Sequence, residues 1–215
     1  MEEANFEPEL YTEEEMDTID AYIAESFGEY KNVFHEIFSP DIHVDICIIP
    51  PTKERDYYTL VTMGMGAHKM NVPEELEELK LERAELVVRL PSDWKIHEQD
   101  EKWYWPIRLL KSLARLPIEC DTWLGWGHTV DNEEPYAENT RLCGAMLVDA
   151  LTGGEEKICV LPNGEDVNFY QVIPLYREEM EYKMENNAEA LLQKMAEAHF
   201  HVVVEPDRPN VKDFA

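Results

Sequence analysis

Apolar residues recur along the chain with two different periods, and the changes of period divide it into elements. Met16, Ile19, Ile23 and Phe27 fall three or four apart, the spacing of one helical stripe. Thr12-Glu13-Glu14-Glu15 in front of them has capping-box form, in which a hydroxyl and a carboxylate each take a backbone N–H left unpaired at the helix start. A helix is therefore predicted over 13–26. Gly28 breaks it, and Tyr30, Val33, Phe34 and Ile37 supply a second, shorter helical face that ends before Ser39-Pro40. The period then drops to two. Ile42, Val44, Ile46 and Ile48 predict a buried strand stopped by Pro50-Pro51, and Tyr57 to Met63, rich in aromatic and β-branched residues, predicts another. Met63-Gly64-Met65-Gly66 leaves the sheet as a flexible loop carrying His68 and Met70. The acidic run from Pro73 to Glu82 has no clean apolar face and reads as a solvated excursion or a single helical turn.

The stretch from Arg83 to Asp131 holds a strand, a helix and an aromatic loop with little slack between them. Leu86, Val88 and Leu90 share one side of a strand, with charged residues alternating on the other, the pattern of a single core face. Trp105 to Arg115 predicts a helix, with Pro106 at its first position and Pro117 beyond its end. Thr122 to Thr129 forms a loop with two indoles. Strands are then predicted over 142–148, 157–161 and 166–173, joined at Thr152-Gly153-Gly154-Glu155 and Pro162-Asn163-Gly164 into an antiparallel meander. From Leu175 the pattern is helical, with capping chemistry at Asn186-Asn187 marking a kink or two abutting helices, and His201 to Val204 returns as an edge strand. These elements make an α+β fold, a mixed and largely antiparallel sheet flanked by helices. One domain is expected over 12–205, between an acidic tail at 1–11 and a second tail at 206–215.

The 215 residues carry a formal net charge of −27, a field that repels phosphate backbones and anionic headgroups, so nucleic acid and membrane surfaces are poor partners and a basic protein is a good one. The same acidity also serves solubility. Met1-Glu2-Glu3-Ala4-Asn5 has neither a basic start nor an apolar run, and no stretch reaches the roughly 20 apolar residues of a membrane span. A cytoplasmic protein is expected. Cys47, Cys120, Cys143 and Cys159 are widely spaced without CxxC pairs, and read as free thiols.

Several motifs in order carry a family resemblance. His43-Val44-Asp45-Ile46, Pro51-Thr52, Tyr57 through Gly66, Met70 through Pro73 and the stretch from Arg83 to Asp131 resemble the Suppressor of fused domain family in its bacterial, single-domain form, across roughly residues 20–175. The resemblance implies the architecture of the amino-terminal domain of the longer animal members. It also implies a binding protein and not an enzyme. Animal members sequester Gli transcription factors, and bacterial members are regarded as immunity proteins that neutralise polymorphic toxins. The aspartate and tyrosine that bind Gli do not carry over, because the matching region reads Leu116 and Trp126-Gly127-His128. The expectation is a non-enzymatic interaction module, an antitoxin-like immunity protein whose acidic surface docks a basic toxin. The alternatives are a peptide or small-ligand scaffold and, behind it, a hydrolase using Cys120, His128 or the His43/Asp45 pair.

Cys120, Asp121 and His128 lie close in sequence, but no nucleophile-elbow pattern surrounds the cysteine, and no catalytic residue is expected. His35, Glu36, His43 and Asp45 are metal-ligand types, yet their spacing fits no standard zinc motif. His43 and Asp45 are expected to bond to each other or to backbone. The Gly64-Met65-Gly66 and Gly125-Trp126-Gly127 stretches lack the order of phosphate-binding loops and read as turns. No metal or cofactor is expected. Trp and Met are enriched where partners bind, which leaves Met63, Met65, His68, Trp123, Trp126 and His128 as candidate partner-binding residues, with core anchoring the alternative for the indoles.

Overall fold

Thr12 starts the first helix as its surroundings require. Its hydroxyl accepts from the N–H of Glu15 while the Glu15 carboxylate accepts from the N–H of Thr12, and helix α1 runs Glu13–Phe27 with Ile19, Ile23 and Phe27 buried. The computed structural model describes residues 8–151 and 158–213. After α1 come strands β1 (Asn32–Phe34), β2 (Asp45–Ile49), β3 (Tyr57–Met63) and β4 (Ala84–Pro91), then helix α2 (Glu101–Cys120). Strands β5 (Thr129–Asp131), β6 (Gly144–Asp149), β7 (Cys159–Val160) and β8 (Asp166–Leu175) follow, and helices α3 (Arg177–Glu185) and α4 (Ala188–Glu197) complete the regular structure. The expected α+β class is the observed one.

The strands form one sheet in the order β1-β2-β3-β4-β8-β6-β5, with β7 paired to β8. Neighbours are antiparallel except β4 and β8, which run parallel. Helix α2 covers one face, where Trp105, Ile107, Leu110 and Leu113 meet Ile46, Leu60, Leu86, Val88 and Val172. On the other face α1 lies over Cys47, Val61 and Val87, and α4 lies over Met146 and Ile173. Burying each large side chain contributes about 1.5–3 kcal/mol relative to leaving it in water, so both faces are closed and the free surfaces of the sheet are its edges.

Several expectations give way to pairing between distant segments. Tyr30 to Ile37 is not a helix, because Asn32, Val33 and Phe34 pair with Ile48, Cys47 and Ile46, and long-range pairing overrides a weak local period. The Met63–Met70 stretch is not a loose loop. Met65 and Met70 are buried, and the Arg83 guanidinium donates to the carbonyls of Gly66 and Ala67 at 2.5 and 2.8 Å. Helix α2 begins at Asp100, whose carboxylate accepts from the N–H of Lys102, so both prolines sit inside it. Pro106 has no N–H for the carbonyl four residues back, and that carbonyl, on Lys102, accepts from Asn139 instead. The meander is absent too, since β8 lies between β6 and β4 and also takes β7. The Thr152-Gly153-Gly154-Glu155 connection and Lys157 fall outside the described residues. His201 to Val204 contributes a single bridge, Val203 to Arg89, and no strand. Residues 74–79 form an exposed 3-10 turn, in keeping with the acidic run.

Residues on either side of 12–205 are also packed. Tyr11 is buried. Arg208 is buried against Glu179, with guanidinium-to-carboxylate distances of 2.6 and 2.5 Å, and its second arm donates to the Pro174 carbonyl at 3.0 Å. Glu179 also accepts from the N–H groups of Tyr176 and Val211. A charge pair this deep holds only because its remaining hydrogen-bonding capacity is filled.

Glu85 is the other buried charge. One carboxylate oxygen accepts from the Tyr11 hydroxyl at 2.9 Å and the N–H groups of Gly64 and Gly66 at 2.9 and 3.1 Å, and the other from the Thr62 hydroxyl at 2.6 Å. The turn that aims those N–H groups requires glycine. Gly64 sits at φ 124, where a Cβ would lie 1.9 Å from the His43 carbonyl oxygen, and at Gly66 a Cβ would lie 2.2 Å from the Tyr11 hydroxyl. Burial pushes the Glu85 carboxyl up to about 6, against the opposing pull of these donors. Below about 6 the folded protein takes up this proton, and the unfolded chain does so only nearer 4.5. The group's contribution to stability therefore rises as pH falls through that window and is reduced above it, by about 2 kcal/mol in all. Urea unfolding at pH 7 and pH 4.5 should show wild type gaining by that amount relative to Glu85→Gln. A difference between the two proteins that does not change with pH would refute the assignment.

Candidate interaction surface

The loop from α2 to β5 begins where Asp121 turns the chain at φ 47 and its N–H returns to the Pro117 carbonyl. It is held from both sides. The N–H of Asn71 donates to the Thr122 carbonyl at 3.2 Å, Asn71 Nδ2 to the Asp121 carboxylate at 3.1 Å, and the N–H of Leu124 to the Met70 sulfur at 3.4 Å. At the far end Gly127 donates to the Leu147 carbonyl and Leu147 to the His128 carbonyl, at 2.7 and 3.0 Å. A buried Leu124 fixes the middle. What remains outside is the Trp126 indole, 39% exposed, beside Trp123, which packs against the α2-side core. The Trp123 and His128 rings meet edge to face with centroids 4.2 Å apart. Burial holds the His128 imidazole below its ordinary value of 6.5, and Lys183 adds to the effect.

The six residues singled out by type do not form one patch. Met65 is core and Met63 packs under α1. His68 is half-buried with Nδ1 3.1 Å from the Glu9 carboxylate. Trp123, Trp126 and His128 share the α2–β5 loop, and the Met70–Asn71 segment is what joins the two stretches. Charges of both signs lie near that loop and the strand after it, Lys183 beside His128 among them. Strand β5 forms one edge of the sheet; Asp131 at its end pairs with Arg177, while Glu133 and Glu134 are exposed. The Arg177 hydrogen bond holds the Asp131 carboxyl below its ordinary value.

The metal-type residues at 35–45 make a hydrogen-bonded clamp. Asp45 receives His35 Nδ1 at 2.9 Å, His43 Nε2 at 3.0 Å and the N–H of Glu36 at 3.0 Å. His43 Nδ1 lies 2.8 Å from the Ser39 hydroxyl, which donates to Glu36 at 3.1 Å. Arg115 completes it, with bonds of 2.7 Å to Glu36 and 3.1 Å to Asp41. Burial alone would raise the Glu36 carboxyl, but the Val44 N–H and Arg115 outweigh it and hold it low. Among the described residues no group of three or more His, Cys, Asp and Glu side chains is placed to hold a metal ion, and no helix is long and apolar enough to cross a membrane. Cys120 is exposed at the end of α2, whereas Cys47, Cys143 and Cys159 are buried. Arg115 had no signal in local spacing, because its partners Glu36 and Asp41 lie more than 70 residues away, whereas the partners of Ser39 lie within its own loop.

The sequence model of the Suppressor of fused protein family matches residues 40–209. The chain belongs to the Suppressor of fused family. An uncharacterised protein, UU111, of Ureaplasma parvum serovar 3 is 29% identical over 185 residues, which is 84% of this chain and 88% of its own. The fold is that of a Suppressor of fused homologue from Neisseria gonorrhoeae, at 18% identity and a TM-score of 0.64, covering 92% of this chain and 96% of that one. A chain of the Sufu-Fu complex aligns at 14% identity and a TM-score of 0.65 over 95% of this chain and 93% of its own. Drosophila Suppressor of Fused aligns at 14% and 0.63 over 92% of this chain but 51% of its own length, so the match spans about half of that relative. Within this Suppressor of fused domain the His128 environment is directly measurable. Its imidazole should titrate below 6.5 by NMR, with the burial cost destabilising the fold as pH falls below that value, and an ordinary midpoint would place the ring in solvent.

Proposed function

We propose that this chain is a non-enzymatic protein-binding module, and that it acts in the cytoplasm as an immunity protein that neutralises a basic toxin. The observation that carries the reading is the exposed Trp126 on a loop fixed from both sides, next to a sheet edge flanked by Asp131, Glu133 and Glu134. A rigid aromatic anchor within an acidic field suits a cationic protein surface, the field raising the association rate and the indole prolonging the complex. The Sufu-Fu complex, a relative of the same fold, supports a protein partner in place of a small ligand.

Two arrangements bear on catalysis, and both favour a structural role. The Asp121 carboxylate accepts from Asn71 and His128 lies against Trp123, so Cys120 has no base oriented toward it by these groups. Ser39, His43 and Asp45 are bonded in the order of a hydrolase triad. However, the hydroxyl has one proton, for which the Glu36 carboxylate competes, and Pro40 offers no N–H to a developing oxyanion. A fluorophosphonate probe should leave Ser39 unlabelled in native protein; labelling lost in Ser39→Ala would overturn the non-enzymatic reading.

The binding reading makes a separate demand. With its cognate toxin, association should slow markedly as ionic strength rises through about 0.15 M while dissociation changes little. Trp126→Ala should cost about 2 kcal/mol or more of affinity with the fold retained. Salt-independent association, or full affinity in a stable Trp126→Ala protein, would reject this surface.

A further inference from the structure

The opposite edge of the sheet carries a feature that the Trp126 surface leaves unused. β1 has β2 on one side and, among the described residues, no strand on the other. The loop that leads from β1 into β2 places Ile37 at 102% and Phe38 at 78% exposure. Adjacent large apolar side chains standing in water mark a contact surface more often than chance exposure does. They are also held there. The chain before them is fixed by His35 and the Glu36 N–H on Asp45, and the chain after them by Ser39 on Glu36 and His43. Arg115 then ties Glu36, Asp41 and the Ile42 carbonyl to α2. A support of this kind settles the loop's conformation before any partner arrives, which lowers the ordering cost of binding.

Charge indicates what would fit. Helix α1 has no lysine or arginine of its own; Glu15 in its first turn faces Asn163 beyond β7, and the acid shown on the β1 side is Asp20. Its end adjoins the entry to β1, where the Tyr30 hydroxyl reaches Asp20. Resting on the protein-binding reading above, we propose that β1 and the Ile37–Phe38 loop are a docking edge for an extended cationic segment of the partner, which adds to the sheet as a further strand. Main-chain bonds to β1 supply register. Alternate side chains of the added strand then point to opposite faces, so that cations reach Asp20 on α1 and apolar groups meet Ile37 and Phe38. A second copy of this chain is disfavoured as the occupant, because each copy would bring its own acidic α1 to the same edge.

The test is an amide-NMR titration with a synthetic hexapeptide alternating lysine and valine, against one alternating glutamate and valine. The lysine peptide should shift the amides of Asn32 to Phe38 and bind about tenfold or more tighter than the control, a difference that the exposed double substitution Ile37→Ser/Phe38→Ser should remove. Shifts centred on Thr129 to Asp131, or scattered over the acidic surface, would overturn the edge assignment and leave the protein-binding reading standing. Absence of binding by the lysine peptide would overturn the cationic strand as the occupant. A concentration-dependent dimer dissolved by the double substitution would give the edge to a second copy instead. Equal toxin affinity in wild type and the double variant would likewise remove this edge while sparing the proposed function.

Discussion

A carboxylate sealed inside the sheet, that of Glu85, is the constraint on which the surrounding geometry depends. An ionised group without water has to be met by donors, and here they come from three separate pieces of chain: Tyr11 before α1, Thr62 on β3, and the N–H groups of Gly64 and Gly66 in the turn after it. Satisfying one anion thus fixes the approach to α1, the exit from β3 and the register of β4 together. The same turn brings Gly64 against the His43 carbonyl and leads to Met70, whose sulfur receives the N–H of Leu124. The α2–β5 loop is positioned at the end of that path.

With α1, α2 and α4 on its faces, the sheet can offer partners only its two edges, and each edge is finished differently. At β5 the exposed group is an indole on a loop held by backbone bonds, among acids of which Asp131 is already neutralised by Arg177. At β1 it is an aliphatic and an aromatic side chain on a loop held by side-chain bonds, close to the end of a helix without lysine or arginine. Both are stiff supports for exposed apolar groups. A stiff support makes an anchor useful, since little conformational freedom is lost when a partner covers it.

How much of this was legible depended on the distance over which each feature is decided. The capping box of α1, the strand from Tyr57 to Met63 and the break at Asn186-Asn187 are set by neighbours in sequence, and they stand where the pattern put them. β1 was misread because Tyr30, Val33, Phe34 and Ile37 have helical spacing, while the strand exists through pairing with β2. The prolines of α2 read as boundaries because the carbonyl freed by Pro106 finds a donor in Asn139, far along the chain. The glycines after β3 lack the order of a phosphate-binding loop, yet their N–H groups do hold an anion, supplied by the chain itself at Glu85. Trp126 was legible as a candidate by type and Met65 was misplaced by type, since composition cannot tell an anchor in the core from one on the surface. Arg208 fell within the expected tail at 206–215 because its partner Glu179 lies 29 residues away on α3.

The acidity bears on the edges as well as on the partner. An unpaired strand edge is a template for any other extended chain, including a second copy of the same protein. A net charge of −27 opposes that self-pairing and at the same time favours a partner of the opposite sign. Discrimination then comes from repulsion of wrong partners as much as from contacts with the right one. Short edge strands of three residues each, Asn32–Phe34 and Thr129–Asp131, fit this scheme: backbone pairing alone is too little to hold a stranger, and only a chain that also satisfies the acids and covers the exposed apolar groups gains enough to stay.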